Sequence, residues 1–121
     1  MPVRRMKTYT AQSGYVYQYY FVGKRAALAD EPNAPAAEYI FDITTGSQAL
    51  YAISIFLRGD ALDFWEHKNG RPLNDAEQYA AAKLRLFRGF DEEEDLLDGE
   101  RKLAIGSSDI VELLESLRLA E

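Results

Sequence analysis

An α+β domain, with an antiparallel three- to four-stranded sheet packed by helices, is the fold class this sequence predicts. Three observations carry it. Apolar and polar residues alternate strand-fashion in three separate stretches of the first half, two stretches of the second half repeat at helical spacing, and no internal repeat or low-complexity tract occurs. The resulting element order is βββααβα, beginning with a β-meander, in one domain spanning residues 1–121.

Residues 7 to 22 are dense in Thr, Tyr and Val, with Gly14 interrupting the run, and predict one long strand or two joined at a bend. After Gly14, Tyr15, Tyr17, Tyr19 and Phe21 share one side, and Val16, Gln18, Tyr20 and Val22 share the other. Gly23 to Pro35, rich in Ala with two prolines and no clear period, predicts a surface loop. A second strand follows over Glu38 to Thr44, then a turn at Thr45-Gly46-Ser47, then a third strand over Ala49 to Leu57. Tyr39, Phe41 and Ile43 face inward with Tyr51, Ile53, Ile55 and Leu57.

Asp60 is placed to cap a short helix from Ala61 to about Lys68, with Gly70 as its C-terminal cap and Pro72 blocking continuation. Asn74 opens the main helix, which runs to Phe90, with Glu77 completing a capping box. Its apolar arc reads Ala76, Tyr79, Ala80, Leu84, Leu86, Phe87 and Phe90, with Glu77, Gln78, Arg85 and Arg88 opposite. Ala76 and Ala80 are the positions expected to let the helix approach the sheet closely. Asp91 to Glu100 predicts an acidic linker, Arg101 to Ile105 a short fourth strand, and Ser107, Ser108 and Asp109 the start of a last helix with an Ile110, Leu113, Leu114, Leu117 stripe.

Composition narrows the functional classes. With 47% apolar and 28% charged residues the chain matches a soluble folded domain. It has no cysteine, which removes thiolate metal sites, disulfides and thiol nucleophiles, and fits a reducing cytoplasm. The basic N-terminus is not followed by the apolar run of about 7 to 15 residues that a signal peptide needs, and no membrane span is expected. The net charge of -6 opposes nucleic-acid binding, although it is uneven: Arg4, Arg5, Lys7, Lys24 and Arg25 precede any acid, while Asp91 to Glu100 carries seven acids and no base. That asymmetry would let two ends, or two copies, attract.

Four groups of residues are candidates for chemistry. Lys83 stands inside the apolar arc of the main helix, where an amine with a lowered pKa could act as base or Schiff-base nucleophile; the simpler expectation is a stem along apolar surface with the ammonium reaching water, Glu38 or Asp42. Asp63 and His67, an i, i+4 pair, could orient an imidazole base, but no further ligand stands at metal-site spacing. The acidic run departs from the spaced calcium-loop pattern and reads as a solvated linker. The tyrosine stripe could stack bases or line an apolar pocket, and more simply is what a half-buried strand prefers.

No nucleophile elbow, phosphate loop or dinucleotide fingerprint occurs, so no catalytic residues, metal or cofactor are assigned. The expectation is a small non-enzymatic cytoplasmic protein working through protein contacts, including a homodimer. Its motive is a second apolar strand face, Val16, Tyr20, Val22, Ile40, Ala52 and Phe56, which either the last helix or a second copy must cover. The alternative is a small-ligand-binding domain or enzyme with its pocket between the Tyr-rich strand and the Trp65 and Lys83 helices, drawing on Tyr17, Tyr19, Trp65, His67 and Lys83. A weak single-stranded nucleic-acid binder is the third reading, the one the acidic total opposes.

Overall fold

A computed structural model describes residues 6–29, 34–46, 49–93 and 96–119. Its elements are β1 (Lys7–Thr10), β2 (Val16–Ala29), β3 (Ala34–Thr44), β4 (Tyr51–Arg58), α1 (Gly59–Asn69), α2 (Asp75–Glu92), β5 (Lys102–Ile105) and α3 (Ser107–Leu119). The α+β class holds, with a difference of detail. The sheet has five strands in the order β1-β2-β3-β4-β5, antiparallel except for β5, which lies parallel to β4. Parallel neighbours need a crossover connection, and α1 with α2 supplies it.

Gly14, at φ +90°, closes the β1–β2 turn, where the Ala11 amide donates to the Tyr15 carbonyl at 2.8 Å. The long-or-bent strand is therefore two strands. The predicted loop at Gly23 to Pro35 is a larger correction: β2 continues to Ala29 and β3 begins at Ala34, pairing Lys24 with Tyr39, Ala26 with Ala37 and Leu28 with Pro35. Only the tip, 30–33, lies outside the described residues. The strand was hidden because a register shift between Phe21 and Gly23 resets the alternation and alanine carries no strand signal. Ser47 of the predicted turn also lies outside the described residues, and so do Arg4, Arg5, Glu94 and Asp95.

The inward side of the sheet is filled. Phe41, Ile43, Ile53, Ile55 and Leu57 have no exposure, and they form one core with Trp65 of α1, Leu86 of α2 and Ile110, Leu113 and Leu114 of α3. All three helices thus contribute to one side, and the last helix does not cross to the other.

The helix starts follow local chemistry. Asn74 accepts from the Glu77 amide at 2.8 Å while Glu77 accepts from the Asn74 amide at 3.0 Å, the reciprocal capping box the sequence predicts. Arg71 adds a two-pronged bridge to Glu77, at 2.8 Å for both bonds, and the two contacts pull the Glu77 carboxyl down to about 2. At α1 the expected Asp60 cap is absent: Arg58 is the N-cap residue without a side-chain cap, and its guanidinium holds Asp60 through bonds of 2.9 and 2.7 Å. Gly70, at φ +78°, ends that helix as predicted.

The main helix is rotated from its expected face. Ala76 is exposed and Ala80 only half-buried, whereas Ala81, Ala82, Leu86, Gly89 and Phe90 are buried. Close approach occurs instead at Gly89, where a Cβ would stand 2.6 Å from a Leu103 methyl carbon. Arg85 and Arg88 are not on a solvent face. Arg85 donates to the Ala104 carbonyl at 3.0 Å, and Arg88 bridges Asp109 at 3.3 Å and Glu112 at 3.5 Å, so the polar arc of α2 meets β5 and α3. The helix also runs through Asp91 and Glu92, which removes them from the predicted linker.

Candidate functional site

Two surfaces could carry function, one beneath the helices and one on the sheet's opposite side. Beneath the helices, the aromatic stripe of β2 meets α2. Tyr17 stacks on Phe90 at 4.1 Å, Tyr19 meets Phe87 edge-on at 5.3 Å, and Phe21 meets Tyr79 edge-on at 5.0 Å. Tyr9 of β1 stacks on Phe87 at 4.2 Å and donates its hydroxyl to Asp91 at 2.7 Å. Burial and that carboxylate push the Tyr9 phenol up to about 12. Tyr17 and Tyr19 are buried, so their rings already have partners and do not present an open stacking platform.

Lys83 lies on this helix one turn from Tyr79 and one turn from Phe87, its ammonium 5.9 Å from the centre of the Phe87 ring. Neither expected carboxylate reaches it. Glu38 and Asp42 occupy the alternate positions of β3, on the face turned away from Tyr39, Phe41 and Ile43. Burial lowers the Lys83 amine and neighbouring Lys7 lowers it further. Lys7 pairs in register with Tyr19 and lines a cavity of about 180 Å3 with Tyr19, Tyr20, Phe21 and Tyr79.

Trp65 and His67 belong to a different neighbourhood. Trp65 is buried on α1 with the Arg71 guanidinium 5.0 Å from its ring centre. His67 is exposed and shares an open depression with Asp63, Glu66 and Gly70. No hydrogen bond joins Asp63 to His67, and among the described residues no group of three His, Cys, Asp or Glu side chains could hold a metal ion. The structure thus sets Lys7 beside Tyr19 and Lys83 beside Phe87, which Tyr19 meets edge-on, and places Trp65 and His67 elsewhere.

On the opposite side of the sheet, Arg25 of β2 faces Glu38 of β3, which in turn faces Phe56 of β4. Glu38 is 7% exposed; it accepts from Arg25 Nε at 2.8 Å and from Ser54 Oγ at 2.6 Å. The Arg25 bond holds its carboxyl below the usual range, against the opposing effect of burial. Around this network Val16 and Val22 are each 48% exposed, and Tyr20, Ile40 and Phe56 are half-buried. Sequence reasoning found the apolar members of this face but missed the Arg25–Glu38–Ser54 network, since Arg25 falls in the stretch taken for a loop.

Among the described residues no helix is long and apolar enough to cross a membrane. No protein-family model, curated protein or solved structure matches this chain.

Proposed function

We propose that this chain is a small non-enzymatic cytoplasmic protein that acts through protein contacts and pairs with a second copy of itself across the open face of its sheet. The observation that carries the reading is the one-sided placement of the helices, which leaves Val16, Tyr20, Val22, Ile40 and Phe56 together in contact with solvent. The same face holds Arg25 and Lys102 with Glu38 and Asp42. Both signs on one face suit a two-fold partner, because each copy then offers the other an opposite charge.

The copy, rather than an unrelated protein, is the occupant this mixture favours: a strongly acidic or basic partner would meet like charge somewhere on the face. Light scattering at micromolar concentration is expected to give twice the chain mass. The Val16→Lys, Val22→Lys double variant, altering two exposed positions, is expected to give the monomer with unchanged circular dichroism. A wild-type protein that stays strictly monomeric in this range would overturn the reading.

A further inference from the structure

We propose that the trough between the β2–β3 hairpin and α1 binds a medium-chain fatty acid, with Lys24 at one end meeting its carboxylate. The sheet register builds the trough. On the side that carries the helices, Lys24, Tyr39 and Ile55 form one row across β2, β3 and β4, and Ala26, Ala37 and Leu57 form the next. Tyr39 and Ile55 of the first row are enclosed, whereas the second row has two alanines, of which Ala26 is exposed and Ala37 half-buried. On the helix side α1 contributes Leu62, and it meets β3 at Gly59, where a Cβ would stand 3.0 Å from the Pro35 carbonyl oxygen. Short side chains under a helix start leave a cavity of about 540 Å3, walled by Ala26, Pro35, Ala37, Leu57, Gly59 and Leu62 and bordered by Lys24. Arg25 and Ala36 also border it, although alternation turns both toward the open face, where Arg25 holds Glu38.

Shape, lining and charge select the ligand. Along β2 the trough runs from the Lys24–Tyr39 pair to the Leu28–Pro35 pair, four residues or about 13 Å, a length that suits an extended chain. Its volume lies in the range of small-molecule sites, and its walls offer apolar contact with no hydroxyl or carboxylate among them. Exposed Leu28 continues the apolar surface at the far end. Lys24 is available at the near end: its ammonium stands 3.9 Å from an oxygen of Asp75, which is almost fully exposed, so water screens that stretched pair. The same ammonium lies 5.6 Å from the centre of the Tyr39 ring, which holds it at the row that ends the trough. A fatty acid buries its methylenes along the alanines and leucines while its carboxylate accepts from Lys24. An inorganic anion gains only the second contact, and an uncharged chain only the first.

The pairing proposed above uses the other side of the sheet, and running the experiment in both the wild-type protein and the Val16→Lys, Val22→Lys variant keeps the two readings apart. Isotope-labelled protein is titrated by NMR with octanoate, hexanoate, octanol and acetate. Octanoate is expected to give saturable shifts centred on Ala26, Ala37, Leu57 and Leu62 in both proteins, with a Kd of about 1 mM or tighter. Hexanoate, two methylenes shorter, is expected to bind about four- to sixteenfold more weakly, since each buried methylene is worth up to about fourfold. Lys24→Met is expected to weaken octanoate about tenfold and to leave octanol unchanged. Ala26→Phe, at an exposed position, is expected to fill the trough and abolish octanoate binding with unchanged circular dichroism. Absence of saturable octanoate shifts overturns the proposal, and so does binding confined to the wild type, which would place the ligand at the pairing face. Acetate or hexanoate binding as tightly as octanoate would overturn the role of the apolar walls, and octanol binding as tightly would overturn the role of Lys24.

Discussion

The two faces of the sheet are built from the same strands and much the same residue types, yet they solve different problems. Facing the helices, Tyr39, Phe41, Ile53, Ile55 and Leu57 alternate without interruption and are fully enclosed. Facing away, Ile40 and Phe56 are interleaved with Glu38, Asp42 and Ser54, and only the glutamate is buried deeply, inside its own pair of hydrogen bonds. Polar neighbours on the open face keep it tolerable in water while leaving apolar area exposed. On the covered side Lys83 stands in the apolar arc of α2, half-buried, with its ammonium 5.9 Å from the centre of the Phe87 ring. The enclosed core is concentrated on the first face, and the pairing proposed above would use the second.

The sharpest way to break this contrast is to truncate one phenylalanine on each face. Phe41→Ala leaves a cavity beneath α2, next to Tyr19, Phe21 and Tyr79, and is expected to cost about 3 to 5 kcal/mol in urea unfolding. Phe56→Ala removes a half-buried ring and is expected to cost about 1 kcal/mol in a monomeric background such as the double-lysine variant. Equal costs would mean that the open face is as much core as the covered one, and would leave no surface to explain by pairing.

How much of this was legible depends on which signal each region carries. The inward residues of β3 and β4, the Asn74 capping box and the stripe of α3 are written in periodicity and cap chemistry, both local properties. The β2–β3 extension is not, since a bulge at Val22 shifts the period and the alanines that follow have neither strand nor helix preference strong enough to show. The face of α2 was misread for a related reason. A helical wheel assumes one partner, whereas α2 meets β1 and β2 through Tyr79, Phe87 and Phe90, β5 through Gly89 and Arg85, and α3 through Arg88. With four partners the buried arc is wide, small residues such as Ala81 and Ala82 enter it, and arginines that look solvent-facing become ties. For Lys83 the position in the apolar arc was readable from sequence, but its surroundings were not: that its ammonium lies near the Phe87 ring and away from Glu38 and Asp42 depends on how α2 sits on the sheet.

The open face's buried charge offers a smaller effect of defined sign. Glu38 has a folded-state pKa below its unfolded value, so its contribution is complete above the unfolded carboxylate range of about 4.3 and is lost as pH falls through the lower folded value. Glu38→Gln keeps the shape and the contact with Ser54 but loses the charge beside Arg25. It is expected to cost about 1 to 2 kcal/mol at pH 7, the lower end being favoured because the Arg25 side chain is 68% exposed and screened. Thermal unfolding followed from pH 7 downward should show the two proteins converging; a constant gap would assign the loss to packing and not to the ion pair.

Lys83→Met should move stability the other way. Burial and the like charge of Lys7 disfavour its protonated form in the folded protein, so the folded-state pKa is lowered and the unfolded chain binds the proton more readily. The resulting penalty is complete at pH values below the folded pKa and vanishes as pH rises past the unfolded value of about 10.4. Methionine matches the lysine stem in length and carries no charge, and is expected to raise stability by about 0.5 to 1 kcal/mol at pH 7, with the advantage disappearing above about pH 10.4. Urea midpoints of the two proteins at neutral and alkaline pH measure this directly. A loss of stability at pH 7 would mean that the ammonium has a stabilising partner in the folded protein, and that burial is not what governs this position.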